Sequence, residues 1–258
     1  MTLYLFEMWA FVLGLCIGSF LNVCIYRLPL QASIVKPRSK CPGCDTPIAF
    51  YDNIPLLSFI FLRGRCRHCD VSIGIRYPLV ELLAGAMSVC VFLFFGPTMT
   101  GLVYFLLVMV LIAVTFIDID HRIIPDKITL PGIPVFFLLA LFLPNLSVTG
   151  SLLGILAGGG SLYLVAWGYH LLTGQEGMGG GDIKLLAMIG AVVGWQGILF
   201  TIFAGSVLGC VVGLALMIKS RKGMKLAVPF GPFLSLGAVI YLFYGQPLVN
   251  WYVNLLGY

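Results

Sequence analysis

GMGGGDIK, Gly177 to Lys184, is the stretch on which the reading of this chain turns. It sets a carboxylate, Asp182, directly after three consecutive glycines, Gly179, Gly180 and Gly181, and directly before an apolar run. A second stretch, FIDIDHRIIPD from Phe116 to Asp126, closes another apolar run with acids. An aspartate at the centre of a bilayer costs about 2.5–3.5 kcal/mol on insertion scales, so an acid at the edge of a membrane span is a functional candidate by default. If both runs are spans, Asp118 and Asp182 are the acids to explain.

Composition makes them spans. Of 258 residues 60% are hydrophobic and 10% charged, and the mean hydropathy is +1.05, far outside the range of soluble domains. The fold expected is an all-α polytopic membrane protein. Runs long enough to cross a bilayer fall at roughly 8–27, 79–95, 101–117, 128–144, 151–172, 183–196, 198–218 and 229–245. The sixth is short, and Trp195-Gln196-Gly197 predicts either a tight hairpin with the seventh or a partial span. No basic residue precedes the first run and no small-residue cleavage site follows it, so it reads as a retained span and not a signal peptide. No internal repeat is apparent.

Eight spans can be tested against charge, because Lys and Arg collect on the cytoplasmic side. All fifteen fall on one side of this scheme: Arg27 to Arg76, Arg122 to Lys127, Lys184, and the KSRKGMK patch from Lys219 to Lys225. Both acidic stretches then lie at the cytoplasmic face. The net charge of +5 is an orientation signal with some attraction to anionic lipid, and no nucleic-acid surface is implied.

Three divisions follow: a first helix over 1–27, a polar insert over 28–78, and a membrane bundle over 79–258. The insert carries CPGC (Cys41, Cys44) and CRHC (Cys66, Cys69), with twenty-one residues between the pairs. Four thiolates at this spacing can close a tetrahedral zinc site. Paired disulfides are the alternative, which a reducing cytoplasm disfavours. So small an insert cannot bury enough surface to fold alone, so a structural metal would contribute much of its stability. His68 could replace a cysteine, at a poorer spacing. Cys16, Cys24, Cys90 and Cys210 lie in apolar runs and read as buried small hydrophobes.

The acids have competing readings. Asp182 stands where a helix N-cap would, but capping alone does not call for three glycines, which permit positive φ and let an extended peptide approach closely. Two carboxylates at one depth cannot both ionise cheaply; the pair shares one proton, and one member can activate water while the other acts as acid. That is aspartic peptide hydrolysis. Asp120 reads as interfacial and Asp126 as an ordinary cap of the fourth span. A P-loop is excluded by the missing strand, spacing and Lys-Ser/Thr ending. Gly158 to Gly160 read as helix-packing glycines.

Together, GGGD from Gly179 to Asp182, the IDIDHRIIPD stretch, GSFLNVCIYRLP from Gly18 to Pro29, the CxxC pairs and PFGPFLSLG near Pro229 resemble the type IV prepilin peptidases, bifunctional leader peptidase/N-methyltransferases of the bacterial inner membrane. The resemblance covers nearly the whole chain. It implies Asp118 and Asp182 as catalytic aspartates facing the cytoplasm. The implied partner is a prepilin or pseudopilin precursor with a basic leader and an apolar helix. The implied methyl donor is S-adenosylmethionine, acting on the new N-terminal residue, usually Phe. No residue is assigned to that donor by chemistry; Glu81 and the cysteine loop are candidates, each with an equally good structural role. Nor does the sequence specify an oligomeric state. Three rivals remain: a peptidase for another membrane peptide without methyl transfer, a non-enzymatic assembly factor, and a proton-coupled transporter, which paired intramembrane acids also serve. Both acids lie at one face and no span carries an acid at its middle, which weighs against transport.

Overall fold

The computed structural model describes residues 2–175, 177–220 and 228–255. Most of the KSRKGMK patch, from Arg221 onward, lies outside them. Among the described residues eight α-helices follow one another: α1 (Thr2–Arg27), α2 (Leu57–Phe61), α3 (Arg76–Phe95), α4 (Met99–His121), α5 (Asp126–Ala140), α6 (Val148–Thr173), α7 (Gly180–Ser220) and α8 (Gly231–Leu255), with one 3-10 turn, η1 (Phe50–Asn53), before α2. Among the described residues, five helices are long and apolar enough to cross a membrane: α1, α3, α4, α6 and α7. Gly231–Gly245 forms a shorter apolar helix, and α5 has 15 residues.

The chain divides into two compact units, Met1–Ala113 and Val114–Tyr258. In the first, α1 and α3 pack antiparallel. A Cβ on Gly14 would lie 2.6 Å from the Ala84 carbonyl oxygen, and one on Gly18 would lie 2.7 Å from the Glu81 Cα. Small residues thus let the two helices approach to backbone contact, the usual basis of helix association in lipid. Ser88 Oγ donates to the Ala10 carbonyl (2.6 Å) and Asn22 Nδ2 to the Tyr77 carbonyl (3.0 Å), fixing the register.

The insert between α1 and α3 contains a repeat that the sequence reading missed. Lys40-Cys41-x-x-Cys44-Asp45-x-x-Ile48 recurs as Arg65-Cys66-x-x-Cys69-Asp70-x-x-Ile73, and the two copies fold alike. Each is closed by an isolated bridge, Lys40 with Pro47 and Arg65 with Ser72. Each returns an N–H to its first cysteine's carbonyl, from Asp45 (2.9 Å) and Asp70 (3.1 Å). Each turns on a left-handed aspartate, φ 54 at both Asp45 and Asp70. The repeat escapes a hydropathy search because it is a set of turn positions, not an apolar period.

In the second unit α6 starts on Ser147, whose side chain accepts the Gly150 N–H, and stops at Gly174 in a left-handed conformation. Helix α7 needs a break. Its 41 residues would run about 60 Å if straight, twice the hydrocarbon thickness of a bilayer. The break falls at Gly194, φ 68 and ψ 179, a backbone that side-chain-bearing residues rarely adopt. It sits one residue before the Trp195-Gln196-Gly197 break expected. The neighbours show the reversal: Gly158 of α6 touches Leu186 and Gly154 touches Gly190 on the first arm, whereas Gly197 meets Tyr241, Gly237 meets Thr201 and Gly205 meets Phe233 of α8 on the second. The sixth and seventh expected spans are therefore the two arms of one hairpin. The glycines at 154 and 158 serve close packing, as read for Gly158 to Gly160, although Gly160 itself touches nothing within 4 Å among the described residues.

Candidate active site

Helix α4 does not end where its apolar run ends. No proline or glycine follows until Pro125, so the helix continues through Asp118 to His121 and turns out at Arg122, which takes a left-handed φ of 56 while its N–H closes on the Asp118 carbonyl (2.8 Å). Asp118 is thereby placed in the last turns of the helix, 5% exposed. Its Oδ2 accepts the N–H of Gly231 (3.0 Å) at the start of α8. Any other residue at 231 would bring a Cβ to 2.6 Å from that oxygen. Gly231 is thus built into the site, and it was not singled out from the sequence. A glycine followed by Pro232 at the head of an apolar helix is the signal that could have found it.

Asp182 is not the N-cap it resembles in sequence. Helix α7 begins at Gly180, so Asp182 belongs to its first turn, and its own N–H bonds the Gly179 carbonyl (3.3 Å). Its Oδ1 is buried and has no hydrogen-bond partner among the described residues, whereas a capping carboxylate would accept a free amide. Ile124 ties the neighbourhood together: the Cβ position of Gly181 is 2.9 Å from Ile124 Cβ, and that of Gly231 is 3.1 Å from Ile124 Cδ1.

None of Gly179, Gly180 and Gly181 takes a positive φ, so their use is spatial and not torsional. Gly181 is packed on Ile124, while Gly179 and Gly180 have nothing within 4 Å among the described residues and leave room beside Asp182. Asp120 is exposed. Asp126 opens α5 behind Pro125 and pairs both carboxylate oxygens with Lys184 Nζ (2.7 and 2.8 Å). The expected cap is in fact an ion pair joining the first turns of α5 and α7.

In the other unit the four sulfurs of Cys41, Cys44, Cys66 and Cys69 all lie within 4.8 Å of one another, and Cys41 and Cys69 are 3.7 Å apart. Tetrahedral zinc with Zn–S bonds of about 2.3 Å requires sulfurs about 3.8 Å apart, so the set fits a four-thiolate metal ion. All four are free thiols, and His68 is outside the cluster. Hydrogen bonds at Thr46 pull the Cys44 thiol down to about 6, while burial and the neighbouring thiols push Cys69 up to about 12. Of the remaining cysteines only Cys24 is buried; Cys16 and Cys210 are exposed and Cys90 is intermediate, because an apolar side chain on a membrane helix can face lipid instead of protein. Glu81 is buried and accepts the Leu56 N–H (2.9 Å); Leu56 holds a left-handed φ of 58. Its visible role is to brace that turn.

Residues 12–95 match the model of the bacterial peptidase A24 N-terminal domain, and residues 105–214 match that of the type IV leader peptidase family. The chain is 39% identical to a prepilin leader peptidase/N-methyltransferase of Aeromonas hydrophila, over 97% of this chain and 95% of that protein. It is 37% identical to one of Stutzerimonas stutzeri over 96% and 94%, and 42% identical to one of Myxococcus xanthus over 84% and 65%. No solved structure matches.

Proposed function

Because the chain belongs to the type IV leader peptidase family, we propose that it removes the leader from prepilin or pseudopilin precursors and N-methylates the residue exposed. Asp118 and Asp182 are the catalytic pair of the first step. The observation that carries this is their convergence: two acids from the ends of separate apolar helices, one clasped by the Gly231 N–H and the other with a buried, unpartnered oxygen. In the reaction the pair shares one proton. The member without it takes a proton from water, which attacks the carbonyl carbon of the scissile bond. The member holding it hydrogen-bonds the carbonyl oxygen and then protonates the leaving nitrogen. The open side at Gly179 and Gly180 admits the substrate backbone in extended form.

The active face is cytoplasmic and the membrane is the inner one; the one-sided placement of Lys and Arg supports this, and a precursor whose apolar helix diffuses within the bilayer would present its leader there. The four cysteines hold one structural zinc, a closed site with no open position. S-adenosylmethionine supplies the methyl group from its sulfonium centre. A cleft of about 410 Å³ in the first unit, lined by residues such as Leu13, Val91, Phe92 and Phe105, offers an amino-acid head no charged partner.

The test is incubation of the purified protein with a precursor, with and without S-adenosylmethionine, read by mass spectrometry. Loss of the leader plus a methyl mass is expected. Asp118→Asn or Asp182→Asn processing at the parental rate would defeat the catalytic assignment.

A further inference from the structure

The insert exposes more apolar side chain than its own fold covers. Neither η1 nor α2 buries a single residue, yet Phe50 is 86% and Phe61 80% exposed, with Tyr51, Ile54, Leu57 and Ile60 exposed between them. Soluble surfaces do not gather six large apolar residues in twelve positions without a partner. Directly after them Arg63, Arg65 and Arg67 are all exposed. Arg67 lies over the Tyr51 ring at 5.5 Å and pairs with Asp52 (2.6 Å), so it holds the second cysteine turn against η1.

The depth of this segment identifies what covers it. The Leu56 N–H reaches Glu81 Oε2, and Glu81 lies five residues inside α3, about 7.5 Å along its axis at 1.5 Å per residue. There it is pressed on Gly18 of α1. Helix α2 therefore starts alongside the apolar α1–α3 pair, level with the second turn of α3 and not beyond its end. Apolar and aromatic residues at that level, with arginines on the following turn, have the make-up of an interfacial membrane anchor.

We propose that η1 and α2, Phe50 to Phe61, insert into the lipid leaflet on their own side of the membrane, and that Arg63 and Arg65 take the headgroups of anionic lipids. The cysteine-clamped turns are then held at the membrane surface at two points, the Glu81 brace and this anchor. The attraction to anionic headgroups adds to the apolar insertion and falls with salt.

A tryptophan placed at the apolar tip tests this. The full chain carrying F61W, a conservative change at an exposed site, is reconstituted in nanodiscs of phosphatidylcholine alone or mixed with phosphatidylglycerol, and its signal is taken as the difference from the parent with its four tryptophans. The added tryptophan should be quenched by lipids brominated near the headgroup and shielded from aqueous iodide at least threefold relative to a free indole. Quenching should be stronger with phosphatidylglycerol, and R63Q/R65Q should abolish that difference. Iodide-accessible, lipid-insensitive fluorescence would overturn the anchor, as would shielding from both quenchers, which would place Phe61 inside the protein. Shielding that arises only on adding a precursor peptide would overturn it in favour of protein docking. Equal quenching in the two nanodiscs would remove the anionic headgroup from the proposal.

Discussion

The cysteine insert and the aspartate pair are both built from four or fewer side chains, yet they are assembled over very different distances in the chain. Each cysteine turn is closed by its own neighbours, and Cys41 meets Cys69 across 28 residues. The aspartate site needs α4, α7 and α8; Asp118 meets the Gly231 N–H across 113 residues, and Asp126 meets Lys184 across 58. One is closed by local turn geometry around four thiols that fit a metal ion, the other by helices packed to backbone contact. Local sites survive distant changes and fail when their ligand is removed; long-range sites tolerate chelators and fail through a single misplaced helix end.

The largest expected effect is at the long-range site. Asp118→Asn and Asp182→Asn should each lower precursor cleavage about 10³-fold or more, the range of an acid–base group removed from a hydrolase, with helical content unchanged by circular dichroism. Removing zinc comes next. A structural zinc is worth about 10–16 kcal/mol of apparent binding in small zinc domains, so a strong chelator, or Cys66→Ser, should open residues 28–75 to protease while α5–α8 stay protected. Simultaneous cleavage throughout would erase the contrast. Metal analysis should return about one zinc per chain beforehand. Gly231→Ala should act from within the aspartate site without removing an acid: the new Cβ, 2.6 Å from Asp118 Oδ2, displaces Asp118, and a shift approaching 1 Å costs about 10²-fold, read as a fall in kcat at normal zinc content. The smallest effect belongs to the Asp126–Lys184 ion pair. With side chains 55% and 34% exposed, a double-mutant cycle of D126N and K184Q should give about 0.5 kcal/mol, and the charge swap D126K/K184D should recover part of any lost activity.

The same contrast explains what could be read from sequence. The tetracysteine cluster was legible because ligand spacing is local, and its duplicate turns were overlooked only because turn chemistry has no hydropathy period. The spans and the two acids were legible because lipid makes charge conspicuous. What could not be read depends on where helices stop and meet. Asp118 lies within α4 because no breaker precedes Pro125, and Asp182 lies within the first turn of α7 because glycines can be helical when packing rewards it. Gly231 and Ile124 matter through contacts made only after α8 and the loop before α5 have docked. Cys16 and Cys210 were expected to be buried by a rule suited to water, and lipid inverts it.

The clasp between Gly231 and Asp118 has a practical corollary. The amide asks only for an oxygen, and asparagine offers one in the same place. D118N should therefore keep α8 seated while the chemistry stops, leaving a form of the protein on which an intact precursor can be captured with the scissile peptide in place. The most direct picture of how this protein holds its substrate would come from that variant.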